Sequence, residues 1–316
     1  MEIHLNMSPY KNLCSLLSSL CIDYNIDWYL VENDIPKKWR VYGDMLLISN
    51  RYFSNDLWKQ IPNELLWQSV CKAFSSNVKR IGLEGVIKNN DYRSPTTRLV
   101  YGNDPWVLLI ENGIRFTYNI EKCMFCAGNN TERMRVGTFD CSNEVIVDLY
   151  AGIGYFTLAY LVHARASHVY ACEWNSDAVE ALKRNLKLNH VDDKCTVLYG
   201  NNEETCPLRV ADRVNLGLIP SSEQSWPVAC RALKCEGGHL HVHGTISTIK
   251  VKENQTLTVK DVWNEWGEYV RNEILKLMSK LYSHTNYKCD VEHIECVKPY
   301  GPHLDHLVVD LYVQKL

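Results

Sequence analysis

The chain reads as an α/β protein: a mostly parallel, doubly wound sheet closed by an antiparallel hairpin, preceded by a small α/β domain. Three observations predict this. From residue 145 onward, short apolar runs of strand length alternate with stretches of helical periodicity. A glycine turn, Asp148-Leu149-Tyr150-Ala151-Gly152-Ile153-Gly154, joins the first of these strands to the first of these helices. The last two strands are separated only by Pro299-Tyr300-Gly301-Pro302. A connection that short cannot make a parallel crossover, so the pair is antiparallel.

Taken in order, the stretch 145–149 (Val-Ile-Val-Asp-Leu) has the continuous apolar character of a buried parallel strand, and 155–163 is the helix behind the turn. A second strand is expected over 168–173, followed by a helix over 175–189 with Ala178, Leu182 and Leu186 at helical spacing. Strands at 195–199, 213–219 and 239–245 follow, with a helix at 224–233 before the last of them. A long helix over 259–281 leads to final strands near 291–297 and 307–313. Before residue 120 the pattern is mixed. Segments 42–48 and 107–116 read as strands broken by turn residues, 63–74 as an amphipathic helix, and 89–95 as a turn-rich loop. These features divide the chain into a small α/β domain over 1–120 and a ligand-binding domain over 121–316.

With 316 residues, 46% hydrophobic and 22% charged, the composition excludes a disordered, collagenous or coiled-coil chain. No apolar run approaches the ~18 residues of a membrane-spanning helix. The closest, 13–22, reads as an ordinary helix. Thirteen cysteines are scattered singly, and only Cys123 and Cys126 form a C-x-x-C. With no second pair to complete a tetrahedral zinc site, free thiols and a cytoplasmic location are expected, with no metal. The net charge of −3 offers no global attraction to nucleic acid. Residues 79–135, however, carry 9 basic and 6 acidic side chains, enough for a local patch.

Chemistry concentrates at the glycine turn. Gly152 and Gly154 permit a tight turn and close backbone approach to a ligand. The nicotinamide fingerprint G-x-G-x-x-G fails because position 157 is Thr. Asp148 suits a cationic ligand and would repel a pyrophosphate. S-adenosylmethionine carries a sulfonium and an ammonium and no phosphate. Glu173, at the second strand's tip, is placed to accept hydrogen bonds from both ribose hydroxyls. Asn201 and Asn202, at the third strand's tip, are candidates for the adenine edge. His239, His241 and His243 alternate on one strand and face one way. Without flanking carboxylates they read as packed histidines.

Three segments carry a family resemblance: 119–136 (Asn-Ile-Glu-Lys-Cys-Met-Phe-Cys126 through Arg133-Met-Arg135-Val), 147–158 with Ala171-Cys-Glu-Trp-Asn175, and Leu216-Gly-Leu-Ile-Pro-Ser-Ser222. Together with 297–302 and 305–310 they resemble the tRNA wybutosine-synthesising aminocarboxypropyltransferases, relatives of the tRNA guanine-N1 methyltransferases. The methyltransferase branch carries Asn where this chain has Gly217. The resemblance implies the class I S-adenosylmethionine-dependent transferase fold, with a seven-stranded Rossmann-like sheet. It also implies transfer of the 3-amino-3-carboxypropyl group of S-adenosylmethionine to C7 of 4-demethylwyosine in tRNA(Phe), releasing methylthioadenosine. The alternatives are a tRNA guanine-N1 methyltransferase and a non-catalytic tRNA-binding relative.

Cofactor contacts carried over from the family are Cys126, Arg133, Glu173, Asn201 and Asn202, joining Asp148, Gly152 and Gly154 of the turn. Arg133, Pro220, Ser221 and Ser222 are the acceptor-side candidates, and no general base is assigned. Lys88, Arg93, Arg98 and Arg135 are the candidates for RNA phosphate contacts. The expected partner is tRNA(Phe), with neither DNA nor a membrane.

Overall fold

A computed structural model describes residues 7–74, 77–88, 93–253 and 256–316. The chain divides into two compact units: residues up to Ile110 together with Phe116–Phe125, and Glu111–Arg115 together with Cys126–Leu316. The expected loop over 89–95 lies partly outside the described residues, at 89–92.

The first unit opens with α1 (Pro9–Asp23), capped by Ser8 and started by Pro9, which has no amide hydrogen to leave unsatisfied. Strands β1 (Trp39–Tyr42) and β2 (Met45–Ser49) follow, where the sequence suggested one broken strand. Helix α2 (Asn63–Phe74) then precedes β3 (Arg80–Glu84) and β4 (Arg98–Tyr101). The four strands lie in the order β1-β2-β3-β4, with β2 and β3 parallel and the outer pairs antiparallel. Leu13 and Leu17 of α1, Trp67 and Val70 of α2, and Leu46, Ile48 and Ile81 of the sheet share one core. A separate ribbon, β5 (Trp106–Glu111) and β6 (Ile114–Asn119), reverses at Asn112-Gly113, both with positive φ. That dipeptide is the usual two-residue hairpin turn.

The second unit begins with α3 (Asn130–Gly137), followed by β7 (Val145–Asp148), α4 (Thr157–Val162), β8 (His168–Glu173), α5 (Ser176–Leu188), β9 (Cys195–Tyr199) and α6 (Asn202–Thr205). Then come β10 (Arg213–Leu216), α7 (Trp226–Ala232), β11 (Gly237–Ser247), α8 (Lys250–Glu253) and α9 (Val259–Leu281). Strands β12 (Tyr287–Gly301) and β13 (Leu304–Lys315) end the chain, longer than expected, with the turn shifted to Pro302-His303. The seven strands run β12-β13-β11-β10-β7-β8-β9. Strand β13 inserts antiparallel between β11 and β12, and the rest are parallel. Strand order reverses between β7 and β10, and in such sheets ligands bind beyond the carboxyl ends at that point.

The two faces of this sheet differ in chemistry. One is apolar: Val147, Val214, Leu216, Leu240, Val242, Val309 and Leu311 pack against Trp226 of α7 and Val270, Ile274 and Met278 of α9. The other carries a polar row, because Asp148, Asn215, His241 and Asp310 stand in register on four neighbouring strands. Asn215 donates to Asp148 at 3.0 Å, and His241 Nδ1 meets Asp310 at 2.5 Å. Arg213 donates to His241 Nε2 at 2.7 Å, so the imidazole proton sits on Nδ1. Arg213 also grips Glu144, and Arg135 joins Glu132 to Asp310. The ring of Phe139 lies 5.2 Å from each guanidinium. Burial alone would raise the Asp310 carboxyl, but His241 and Arg135 hold it well below the usual carboxylate range.

His243 and His306 share one N–H···N bond of 3.1 Å in the same buried layer. His241 and His243 are therefore packed and hydrogen-bonded, whereas His239 is half-buried. Carboxylates do accompany two of the three: Glu292 meets His239 at 3.0 Å and Asp310 meets His241. All thirteen cysteines are free thiols. Among the described residues no helix is long and apolar enough to cross a membrane.

Burial pushes the His241 and His243 imidazoles below their ordinary range, and His306 down to about 4. Above pH 6.5 these groups are neutral in both folded and unfolded chains. Below it the unfolded chain takes up protons that the folded one refuses, so stability falls as pH falls. Urea unfolding between pH 6.5 and 5 should lose up to roughly 1.4 kcal/mol per pH unit on account of His306. His306→Gln should flatten that slope by about one proton, and an unchanged slope would show that His306 titrates normally in the fold.

Candidate functional site

The carboxyl ends of β7, β8, β9 and β10 gather the turn and strand-tip residues singled out in the sequence. At the end of β7, Asp148 is fully buried. One of its oxygens accepts from Thr157 Oγ1 at 2.8 Å, and the other from Asn215 Nδ2 at 3.0 Å and the Tyr150 amide at 3.4 Å. Burial raises this carboxyl, and those hydrogen bonds pull it back. Asp148 therefore braces the turn from beneath instead of touching a ligand, as the sequence had suggested. Thr157, which breaks the nicotinamide fingerprint, is one of its two side-chain partners.

Above that brace Gly152 and Gly154 both have positive φ, +55° and +100°. A Cβ on Gly154 would lie 2.9 Å from Leu182 of α5, so the missing side chain lets the turn sit against that helix. The Gly152 amide donates to Glu173 Oε2 at 2.7 Å, and the Asn175 amide donates to Oε1 at 2.8 Å. Glu173 thus ties the turn to the start of α5. Burial raises its carboxyl, against the pull of these amides. With the Trp174 amide these make three backbone donors to Glu173, fewer than the roughly four acceptor sites of a carboxylate.

At the tip of β9, Asn201 caps α6 by accepting from the Glu203 amide at 3.1 Å. Asn202 donates to the Leu149 carbonyl at 3.0 Å and accepts from Ser225 Oγ at 3.2 Å, and Ser225 lies 2.6 Å from the Tyr150 hydroxyl. These ties, unread in the sequence, fasten β9 and α7 to the glycine turn. Asn201 stays exposed, whereas Asn202 is half-buried.

The acceptor-side candidates separate. Pro220 and Ser221 are exposed, on a loop tied to β11 by the Thr245 amide donating to the Pro220 carbonyl at 2.9 Å. Ser222 is fully buried and accepts from Trp226 Nε1 at 3.3 Å, so it anchors α7 and is not open to a substrate. Arg133 is also buried: it pairs with Glu111 through two donors and gives a third to the Cys126 carbonyl at 3.0 Å. Glu111 was not singled out in the sequence, because it lies 22 residues upstream in a strand. Cys126 is half-buried and contributes that carbonyl.

The phosphate candidates separate too. Lys88 and Arg98 are exposed and Arg93 is half-buried. Arg135 is committed to Glu132 at 2.7 Å and Asp310 at 2.6 Å, so its charge is spent in the core and it does not serve RNA. Asp148→Ala should strand two buried donors and cost about 2–4 kcal/mol of stability by urea unfolding. Thr157→Val should cost about 1–2 kcal/mol, and a neutral result for both would deny the brace.

Residues 108–268 match the family model described as the TRM5/TYW2 methyltransferase domain. The zebrafish (Danio rerio) tRNA wybutosine-synthesizing protein 2 homolog is 44% identical over 98% of this chain and 79% of its own length. Its human counterpart is 37% identical over 96% and 75%. Among solved structures, TYW2 of P. horikoshii in complex with MeSAdo aligns over 97% of this chain and all of its own, with a TM-score of 0.69 at 24% identity. The tRNA m1G37 methyltransferase of M. jannaschii aligns over all of this chain and 82% of its own, with a TM-score of 0.62 at 21% identity. These two structures share the fold described above. With identities of 37% and 44% across nearly its whole length, the chain belongs to the tRNA wybutosine-synthesizing protein 2 family.

Proposed function

We propose that this chain acts on tRNA(Phe), transferring the 3-amino-3-carboxypropyl group of S-adenosylmethionine to C7 of 4-demethylwyosine. It is an S-adenosylmethionine-dependent tRNA transferase of wybutosine synthesis. The observation that carries this is the identity of 37–44% to wybutosine-synthesizing proteins across almost the entire chain. The site has groups that suit the substrate. Glu173 offers acceptors to a ribose diol, the positive-φ turn leaves its backbone open to close approach, and no phosphate has to lie against Asp148.

S-adenosylmethionine supplies an electrophilic carbon: a bond from C7 to the methionine γ-carbon forms as the γ-carbon–sulfur bond breaks, the electron pair leaves on sulfur as methylthioadenosine, and the C7 proton is lost. All three carbons on the sulfonium are electrophilic, so the protein selects one by position. The residues around the turn do that work by holding the adenosine half rigidly. Asp148 fixes the turn against α4 and β10, Asn202 and Ser225 fix it against β9 and α7, and Glu173 fixes it against α5. Exposed Pro220 and Ser221 border the acceptor base. Gly217 bears on product choice: a Cβ there would stand 3.2 Å from both Asn215 Nδ2 and the Phe156 ring, so an asparagine at this position requires its neighbours to shift. Lys88, Arg93 and Arg98 are offered to RNA phosphates. Thirteen free thiols suit the reducing cytoplasm.

Methyl transfer is the second reading, favoured by the description of the matched domain. Nucleoside mass spectrometry of 4-demethylwyosine-bearing tRNA(Phe) separates the two. Gain of an aminocarboxypropyl unit with release of methylthioadenosine is expected, and a methylated base with S-adenosylhomocysteine would overturn the proposal. Calorimetry with Glu173→Ala should show S-adenosylmethionine bound more weakly by about 1–3 kcal/mol. An unchanged affinity would remove Glu173 from the site.

A further inference from the structure

The topology of the first unit collects basic side chains that lie far apart in sequence. Because β1 is antiparallel to β2, β2 parallel to β3, and β3 antiparallel to β4, the start of β1, the ends of β2 and β3 and the start of β4 share one end of the sheet. Lys37 and Lys38 precede β1 and Arg40 lies in it, Arg51 follows β2, Lys88 follows β3, and Arg98 opens β4. Only two of these six were read as RNA candidates in the sequence. Arg40 is paired with Glu84. Among the described residues, neither Lys37 nor Arg51 has a carboxylate partner.

Lys37 and Arg51 line one concavity of about 330 Å³ together with Asn33, Asp34 and Tyr52. Its one acid, Asp34, offsets at most one of their two charges. Asp34 already accepts from Ser54 Oγ at 3.1 Å, the Asn55 amide at 2.8 Å and Trp58 Nε1 at 3.0 Å. Arg51 is held in place: its guanidinium lies 4.6 Å from the centre of the Tyr52 ring and donates to the Tyr52 hydroxyl at 2.6 Å. The Lys37 amide donates to the same hydroxyl. The loop behind them is pinned as well. Phe53 adopts φ +55°, unfavourable for a bulky side chain, with its amide donating to the Asp34 carbonyl at 3.0 Å and its ring against Trp58 and Trp67. A concave, pinned site with two cations against one carboxylate and a fixed guanidinium fork suits a phosphate oxyanion.

We propose that this end of the first sheet binds the RNA backbone, with one phosphate seated between Lys37 and Arg51. The proposal rests on the tRNA reading above. Backbone contacts of this kind position an RNA without reading its sequence, and each one releases counterions, so its loss appears in the salt dependence of binding. The test is the affinity of the full chain for tRNA(Phe) as a function of salt, for wild type, Lys37→Ala/Arg51→Ala and the single exposed-site change Lys37→Glu. Both variants should bind at least about fivefold more weakly at 0.1 M salt. Their plots of log affinity against log salt should be shallower by roughly one to two, with S-adenosylmethionine affinity unchanged. If wild type binds tRNA and both variants match it in affinity and slope, the pocket is overturned and the tRNA reading stands. If wild type itself fails to bind tRNA, both fall together.

Discussion

A carboxylate buried away from solvent holds the second unit together. Asp148 sits at the end of β7, an interior strand of the seven-stranded sheet, and burial would make its charge costly if no donors met it. Thr157, Asn215 and the Tyr150 amide meet it, and each comes from an element that shapes the glycine turn. The turn is therefore set by a polar core contact, and the strand-tip groups above it inherit that geometry. Glu173 reaches the turn from β8 and Asn202 from α6, so three consecutive strand ends close on one backbone segment.

The same economy explains the polar face of the sheet. Four neighbouring strands present Asp148, Asn215, His241 and Asp310 in one row, and helix α3 answers with Glu132 and Arg135 instead of leucines. Such a layer is stable only when nearly every donor finds an acceptor, because the low dielectric that strengthens each bond also penalises each omission. It gives the sheet two distinguishable faces. Leucine, valine and tryptophan pack α7 and α9 on one, and paired charges seat α3 on the other.

This chemistry decides what could be read from the sequence. The strands from residue 145 were legible because buried parallel strands are continuous apolar runs, and the glycine turn because its spacing is tied to strand and helix on either side. Helix α3 was not, since its buried residues Glu132 and Arg133 carry charges that hydrophobic periodicity cannot see. Strands β3 and β4 are short and polar at their ends, and their pairing depends on partners tens of residues away. The role of Arg135 was hidden for the same reason, because its partner Asp310 lies 175 residues downstream. Ser222 and Asp148 bear the residue types of a site, and only packing tells that one anchors a helix and the other braces a turn.

The placement of β13 leaves β12 as an outer strand of fifteen residues, long enough to recruit a strand from another molecule. Its register against β13 slips at Val291/His293, Cys296/Lys298 and Pro299/Gly301, and Lys288, Asp290, Glu292, Glu295 and Lys298 are spread along it. A kinked, charged edge presents no straight ladder of amides and carbonyls, so the final hairpin guards against open-ended aggregation while it completes the sheet.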